Sequence, residues 1–123
     1  MRKPANQAKK HASGKNTLAA AQLQAVAGLF GVLSEPSRLQ ILQSLESGPS
    51  SVGDLAGRTG LKQANLSKQL GILLVADIIQ RRQDGNRAIY SIKMPLVFDL
   101  CTLVCGGVAR AAAERAAALD GAS

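Results

Sequence analysis

The chain has 123 residues, enough for one compact domain with a modest core and no room for a second. Hydrophobic residues make up 46% of it but aromatic residues only 2%, so the core must be leucine, isoleucine, valine and alanine, as in a mostly helical protein. Fifteen Lys and Arg against eight Asp and Glu leave a net charge of +7, which points to a polyanionic partner, nucleic acid first and an anionic membrane surface second.

Residues 1–16, MRKPANQAKKHASGKN, hold Arg2, Lys3, Lys9, Lys10 and Lys15 with no acid, and read as a flexible basic arm. His11, the only histidine, lies in this arm, where a lone imidazole reads as solvated, since metal sites need several convergent donors. Thr17 is a good N-cap, and Leu23, Val26, Phe30 and Leu33 recur at helical spacing, predicting a first helix that ends near Ser34. In SEPSRLQILQSLESG, Pro36 falls in the first turn of a second helix that carries Leu39, Leu42 and Leu45 and stops at Gly48-Pro49. SSVGDLAGRTG reads as a short third helix, with serine caps, Val52, Leu55 and Ala56 as its apolar set, and a stop at Gly60.

The fourth helix, within LKQANLSKQLGILLVAD, sets Leu66, Leu70, Leu73 and Leu74 on one face and Lys62, Gln63, Asn65, Ser67, Lys68 and Gln69 on the rest. Joined to the third helix by a turn at Thr59-Gly60-Leu61, it has the layout of a helix-turn-helix. IIQRRQDGNRAIYSI is two β-rich runs around Asp84-Gly85-Asn86-Arg87, a hairpin signal because Gly and Asn tolerate positive φ. Pro95 then opens a closing helix through Leu100, Leu103, Val104 and Val108 into an alanine-rich end, with residues 119–123 expected to fray. The fold class expected is mainly α with a small β-hairpin, in the order α-α-α-α-β-β-α, with the main domain over residues 17–118.

Two cysteines do not make a disulfide framework, and no N-terminal apolar stretch resembles a signal peptide, so a cytoplasmic protein with reduced thiols is expected. The longest strongly apolar run, Leu70 to Ala76, falls far short of the roughly 20 residues of a membrane span, so a soluble chain without a membrane partner is expected.

Between Arg58 and Lys93 stand the cations Arg58, Lys62, Lys68, Arg81, Arg82, Arg87 and Lys93 against the acids Asp77 and Asp84 alone. A helix that reads DNA in the major groove needs amide, hydroxyl and cationic side chains on its outward face, which Lys62, Gln63, Asn65, Ser67, Lys68 and Gln69 supply. An arginine-rich hairpin suits the adjacent backbone or minor groove, the role assigned to Arg81, Arg82 and Arg87. A solvated amphipathic face explains each feature taken singly; their order and shared charge favour a double-stranded DNA partner. A basic module binding an acidic protein is the alternative. A cysteine enzyme is disfavoured by the lack of a CxxC motif, a placed base or a glycine-rich phosphate loop, and no cofactor is expected.

Over residues 20–110 the chain resembles the ArsR/SmtB family of winged-helix bacterial repressors, through LFGVLSEPSRLQILQSL, SVGDLAGRTGLKQANLSKQL and DGNRAIYSI. The resemblance implies a winged helix-turn-helix homodimer, held by its first and last helices, that binds an inverted-repeat operator and leaves it when an effector binds. It puts Gln63, Asn65, Ser67, Lys68 and Gln69 on the recognition helix and Arg81, Arg82 and Arg87 on the wing. Metal-sensing members carry a cysteine motif at the start of the third helix, where this chain has Ser51 and Gly53. The family's last-helix zinc site uses aspartate and histidine pairs, whereas here Asp99 has no histidine between Met94 and Ser123.

Cys101 and Cys105, in FDLCTLVCGG, lie four apart and so share a helix face with Cβ atoms about 6 Å apart. Three readings stand: small apolar residues of a dimer interface beside Val97, Val104 and Val108; two soft ligands for a metalloid such as arsenite, with a third donor from elsewhere; or a redox pair linked by oxidants or reactive sulfur species.

Overall fold

A computed structural model describes residues 12–122. The chain divides into two compact units, one up to Glu35 and one from Pro36. The first holds helix α1 (Ala12–Val32). It begins inside the segment expected to be a flexible arm: nothing after Pro4 and before Pro36 breaks a helix, so the backbone is helical ahead of the predicted Thr17 cap. Residues 1–11 of that arm, His11 included, lie outside the described residues. Of the apolar stripe predicted for the first helix, Leu23, Val26 and Phe30 lie on α1 and are exposed, while Leu33 falls just past its end and is buried.

The second unit runs α2 (Pro36–Ser44), a 3-10 turn (Leu45–Ser47), β1 (Ser50–Ser51), α3 (Val52–Thr59), α4 (Gln63–Val75), β2 (Ile79–Asp84), β3 (Arg87–Ile92) and α5 (Pro95–Ala122). Its core gathers Ile41 and Leu42 of α2, Leu45, Leu55 of α3, Leu66, Leu70 and Leu73 of α4, Ile78, Ile79 and Val97, all buried. The helical leucine spacing of the sequence aims one face of each helix at this cluster. α3 starts on a capping box: Ser51 Oγ accepts from the Asp54 N–H at 3.1 Å while the Ser51 N–H donates to Asp54 Oδ2 at 3.3 Å. It ends at Gly60, whose φ of 71° turns the chain toward α4.

The sheet is antiparallel in the order β1-β3-β2. β2 and β3 form the predicted hairpin, with Arg82 opposite Ile89 and Asp84 opposite Arg87. β1 was not legible in the sequence, because two residues carry no alternation; it sets Ser50 opposite Tyr90 and Ser51 opposite Ile89, fastening the start of α3 to the wing. Beyond Ile79 every residue of β2 is exposed, so the hairpin stands out from the core.

α5 continues through residues 119–122, where fraying was expected, since alanine is the strongest helix former. Its span Pro95–Gly121 is, by length and composition alone, long and apolar enough to cross a membrane. No unbroken run of large apolar residues marks it in the sequence, because alanines, valines and the two cysteines carry the hydropathy around Asp99 and Arg110.

Candidate nucleic-acid interface and thiol groove

The outward arc of α4 carries Lys62, Gln63, Ser67 and Lys68, all exposed, with Asn65 half-buried beside them. Among the described residues none of Lys62, Gln63, Ser67 and Lys68 makes a side-chain hydrogen bond or salt bridge, so their donors are available to a partner. Lys62 stands at the N-cap, and its side chain, having no acceptor, leaves the first-turn N–H groups without a side-chain cap.

Gln69 departs from the expectation. It is 6% exposed and belongs to the inner face, because it falls within the same arc as Leu66, Leu70 and Leu73. Arg38 of α2 donates through Nη1 to Gln69 Oε1 at 2.8 Å, and Gln69 Nε2 donates to Asn65 Oδ1 at 2.9 Å. Arg38 was overlooked in the sequence. The signal that could have found it is that an amide set within a leucine arc needs partners, which a neighbouring helix must supply.

The cations around the helix-turn-helix divide into two sets. Arg58 Nη1 donates to Ser50 Oγ at 2.9 Å and to the Ser44 carbonyl at 3.2 Å, tying α3 to the end of α2. Lys93 pairs with Asp77 at 2.7 Å beneath the hairpin. Arg87 leans from the wing to Asp54 at 3.7 Å. Arg81 and Arg82 make no salt bridge among the described residues. Strand alternation places Arg82 and Arg87 on one face of the wing and Arg81 on the other, so the wing offers positive charge both ways. The Asp54 carboxyl is held below its ordinary value of 3.8 by hydrogen bonds from the backbone and then the side chain of Ser51, with smaller help from Arg87 and Arg58.

Cys101 and Cys105 face a groove of about 380 Å³ between α5 and α2, lined by Pro36, Leu39, Leu42 and Phe98 with Glu46 and Thr102 at its polar end. Cys101 is half-buried and Cys105 exposed, both as free thiols. Burial pushes the Cys101 thiol up, and the neighbouring Cys105 and Glu46 push it the same way. Thr102 Oγ1 donates to Glu46 Oε2 at 3.4 Å, holding that carboxylate at the groove. Val104 and Val108, expected to share a stripe with the thiols, are exposed, while Val97 is buried in the core. Among the described residues no three His, Cys, Asp or Glu side chains gather as a metal site.

The domain of bacterial regulatory proteins described as the arsR family matches residues 35–81. The HTH-type transcriptional regulator Rv0081 of Mycobacterium tuberculosis is 39% identical over 95 residues, which span 76% of this chain and 83% of the relative. Its crystal structure is similar at a TM-score of 0.69 and 37% identity, covering 76% of this chain and 95% of that one. The crystal structure of the antimony-specific transcriptional repressor AntR gives a TM-score of 0.68 and 34% identity over 74% of this chain and 83% of that one. The homodimeric winged helix-turn-helix DNA-binding domain Mb0332 of Mycobacterium bovis gives 0.66 and 32% over 73% and 83%.

Proposed function

The chain belongs to the arsR family of bacterial regulatory proteins, transcription regulators and not enzymes, and from that premise we propose that the thiol pair Cys101 and Cys105 governs when it holds DNA. It is a winged helix-turn-helix, DNA-binding transcriptional repressor; the contacts, the dimer and the signal are our reading. Lys62, Gln63, Asn65, Ser67 and Lys68 enter the major groove, and Arg81, Arg82 and Arg87 take the flanking backbone or minor groove. The observation that carries this assignment is the unpartnered polar arc of α4 standing beside the arginine wing. With operator DNA as its partner, it works in the cytoplasm.

The functional unit is a homodimer through α1 and α5. Leu23, Val26 and Phe30 on one helix and Leu103, Val104 and Val108 on the other leave apolar surface in water, and the related Mb0332 domain is homodimeric. Two α4 helices spaced by such a dimer meet an inverted repeat one helical turn apart, roughly 34 Å.

The effector is thiophilic. A metalloid such as arsenite would take both sulfurs and complete its coordination from water or the partner subunit, and resemblance to an antimony-specific repressor supports that route. A reactive sulfur species or oxidant that joins the two sulfurs is the second route, supported by the exposure of Cys105 at the groove. α2 is the element that both would move: its Leu39 and Leu42 line the groove, while its Arg38 bonds to α4. The test is operator binding by fluorescence anisotropy for wild type, Cys101→Ser and Cys105→Ser, each reduced, treated with arsenite, and treated with a persulfide donor. Release of the wild type alone is expected; if every protein binds alike under every condition, the cysteines are structural.

A further inference from the structure

The hydrogen-bond chain from Arg38 through Gln69 to Asn65 has a direction that its chemistry dictates. A guanidinium has only donors, so it must meet the carbonyl end of the Gln69 amide. The other end of that amide is then the NH₂ group, which in turn must meet the carbonyl end of Asn65. The donors and acceptors along these three side chains thus admit a single direction. Gln69 is buried, and the network bridges two helices of the same compact unit, so its members are held rather than solvated.

One end of the chain reaches the DNA-facing arc. Asn65 is half-exposed, between the buried Gln69 and the outward Ser67 and Lys68. With its carbonyl drawn inward by Gln69, the arm left to face a partner is its NH₂ group, a donor. A free asparagine can read adenine with both arms, accepting from the base amino group and donating to the ring nitrogen. The held asparagine leads with its donor.

We propose that Gln69 is a positioning residue that never touches DNA, and that through it Arg38 sets Asn65 to read a base presenting an acceptor in the major groove. Guanine, adenine and thymine each offer one there; cytosine offers only its amino group. The base contacted by Asn65 is thus selected against cytosine. This rests on α4 being the reading helix.

Gln69→Glu turns the device round. The new carboxylate still accepts from Arg38 but has no proton for Asn65, so the Asn65 amide rotates to donate to it and leaves its carbonyl outward. The base preference then inverts toward amino-bearing bases. Gln69→Leu, similar in volume and unable to bond, lets Asn65 turn freely.

The experiment starts from an operator selected by the wild type from a random duplex library. Every base position is then substituted in both half-sites and titrated with wild type, Asn65→Ala, Gln69→Glu and Gln69→Leu. The position where Asn65→Ala loses discrimination identifies the contacted base. There the wild type is expected to bind cytosine about fivefold more weakly per half-site, the low end for one mismatched pair. Gln69→Glu is expected to favour cytosine or adenine, and Gln69→Leu to show no preference. If both Gln69 variants keep the wild-type order, or weaken all sequences equally, the positioning role is overturned. If Asn65→Ala changes no positional preference, the assignment of Asn65 as a base contact fails first and the proposal falls with it.

Discussion

Replacing Arg87 by alanine removes one cation from the wing of each protomer, two from the proposed dimer on its operator. Each phosphate contact contributes about 0.9 to the slope of log affinity against log salt, so the slope is expected to shallow by about 1.8. Between about 50 and 200 mM salt the wild type then loses about twelvefold more affinity than the variant, and their titration curves converge as salt rises. Arg87 also pairs with Asp54 at 3.7 Å, but the two side chains are 64% and 51% exposed, so solvent screens that pair and it contributes little to folding. The melting temperature should hardly change, which separates a lost DNA contact from a lost fold. The assay is fluorescence anisotropy on one operator duplex across a salt series, beside a thermal melt. An unchanged slope refutes the phosphate contact, and a loss confined to particular base sequences would place Arg87 on a base instead.

Ser51→Ala removes the cap of α3 and should cost about 1 kcal/mol, read as a fall of a few degrees in melting temperature. Because the Asp54 carboxyl is held below its ordinary 3.8, its contribution to stability is present above that value and is lost as pH falls through the lowered one. Melting temperatures of wild type and Asp54→Asn should therefore draw together on acidification below 3.8; a gap that stays constant refutes this. Peptide mass spectrometry after brief alkylation should find Cys105 labelled ahead of Cys101, whose thiol is half-buried and pushed up, and the reverse order would be fatal to the groove geometry. Leu103 is 74% exposed on α5, so Leu103→Arg should leave the protomer folded but shift sedimentation toward monomer and weaken operator binding. A variant that remains dimeric removes α5 from the interface.

The leucine spacing of α2 and α4, the proline at Pro36 and the Asp84-Gly85-Asn86-Arg87 turn were enough to place helices and hairpin, because each is a local preference of a few adjacent residues. What depended on distant pairing was hidden. β1 exists only because Ser50 and Ser51 find β3, some forty positions on. Gln69 looked like one more polar residue of a reading helix until Arg38 arrived from thirty-one residues earlier. Arg58 belonged to a basic run in one dimension and to a serine cluster at the end of α2 in three. The cysteines were correctly placed on one face of the last helix, but Pro36, Leu39 and Phe98, which make that face a groove, share no motif with them.

The bare apolar flank of α5 bears on quantity as well as shape. If two protomers close over it as proposed, the active repressor forms in proportion to the square of the protomer concentration while monomer predominates, so halving synthesis cuts the active species about fourfold. On the proposed mechanism, a cell that makes little of this protein would leave its operator vacant whatever the state of the thiols, and one that makes much of it would need more effector to clear the same site. A surface that assembled the protein in this way would also set the threshold at which its signal is heard.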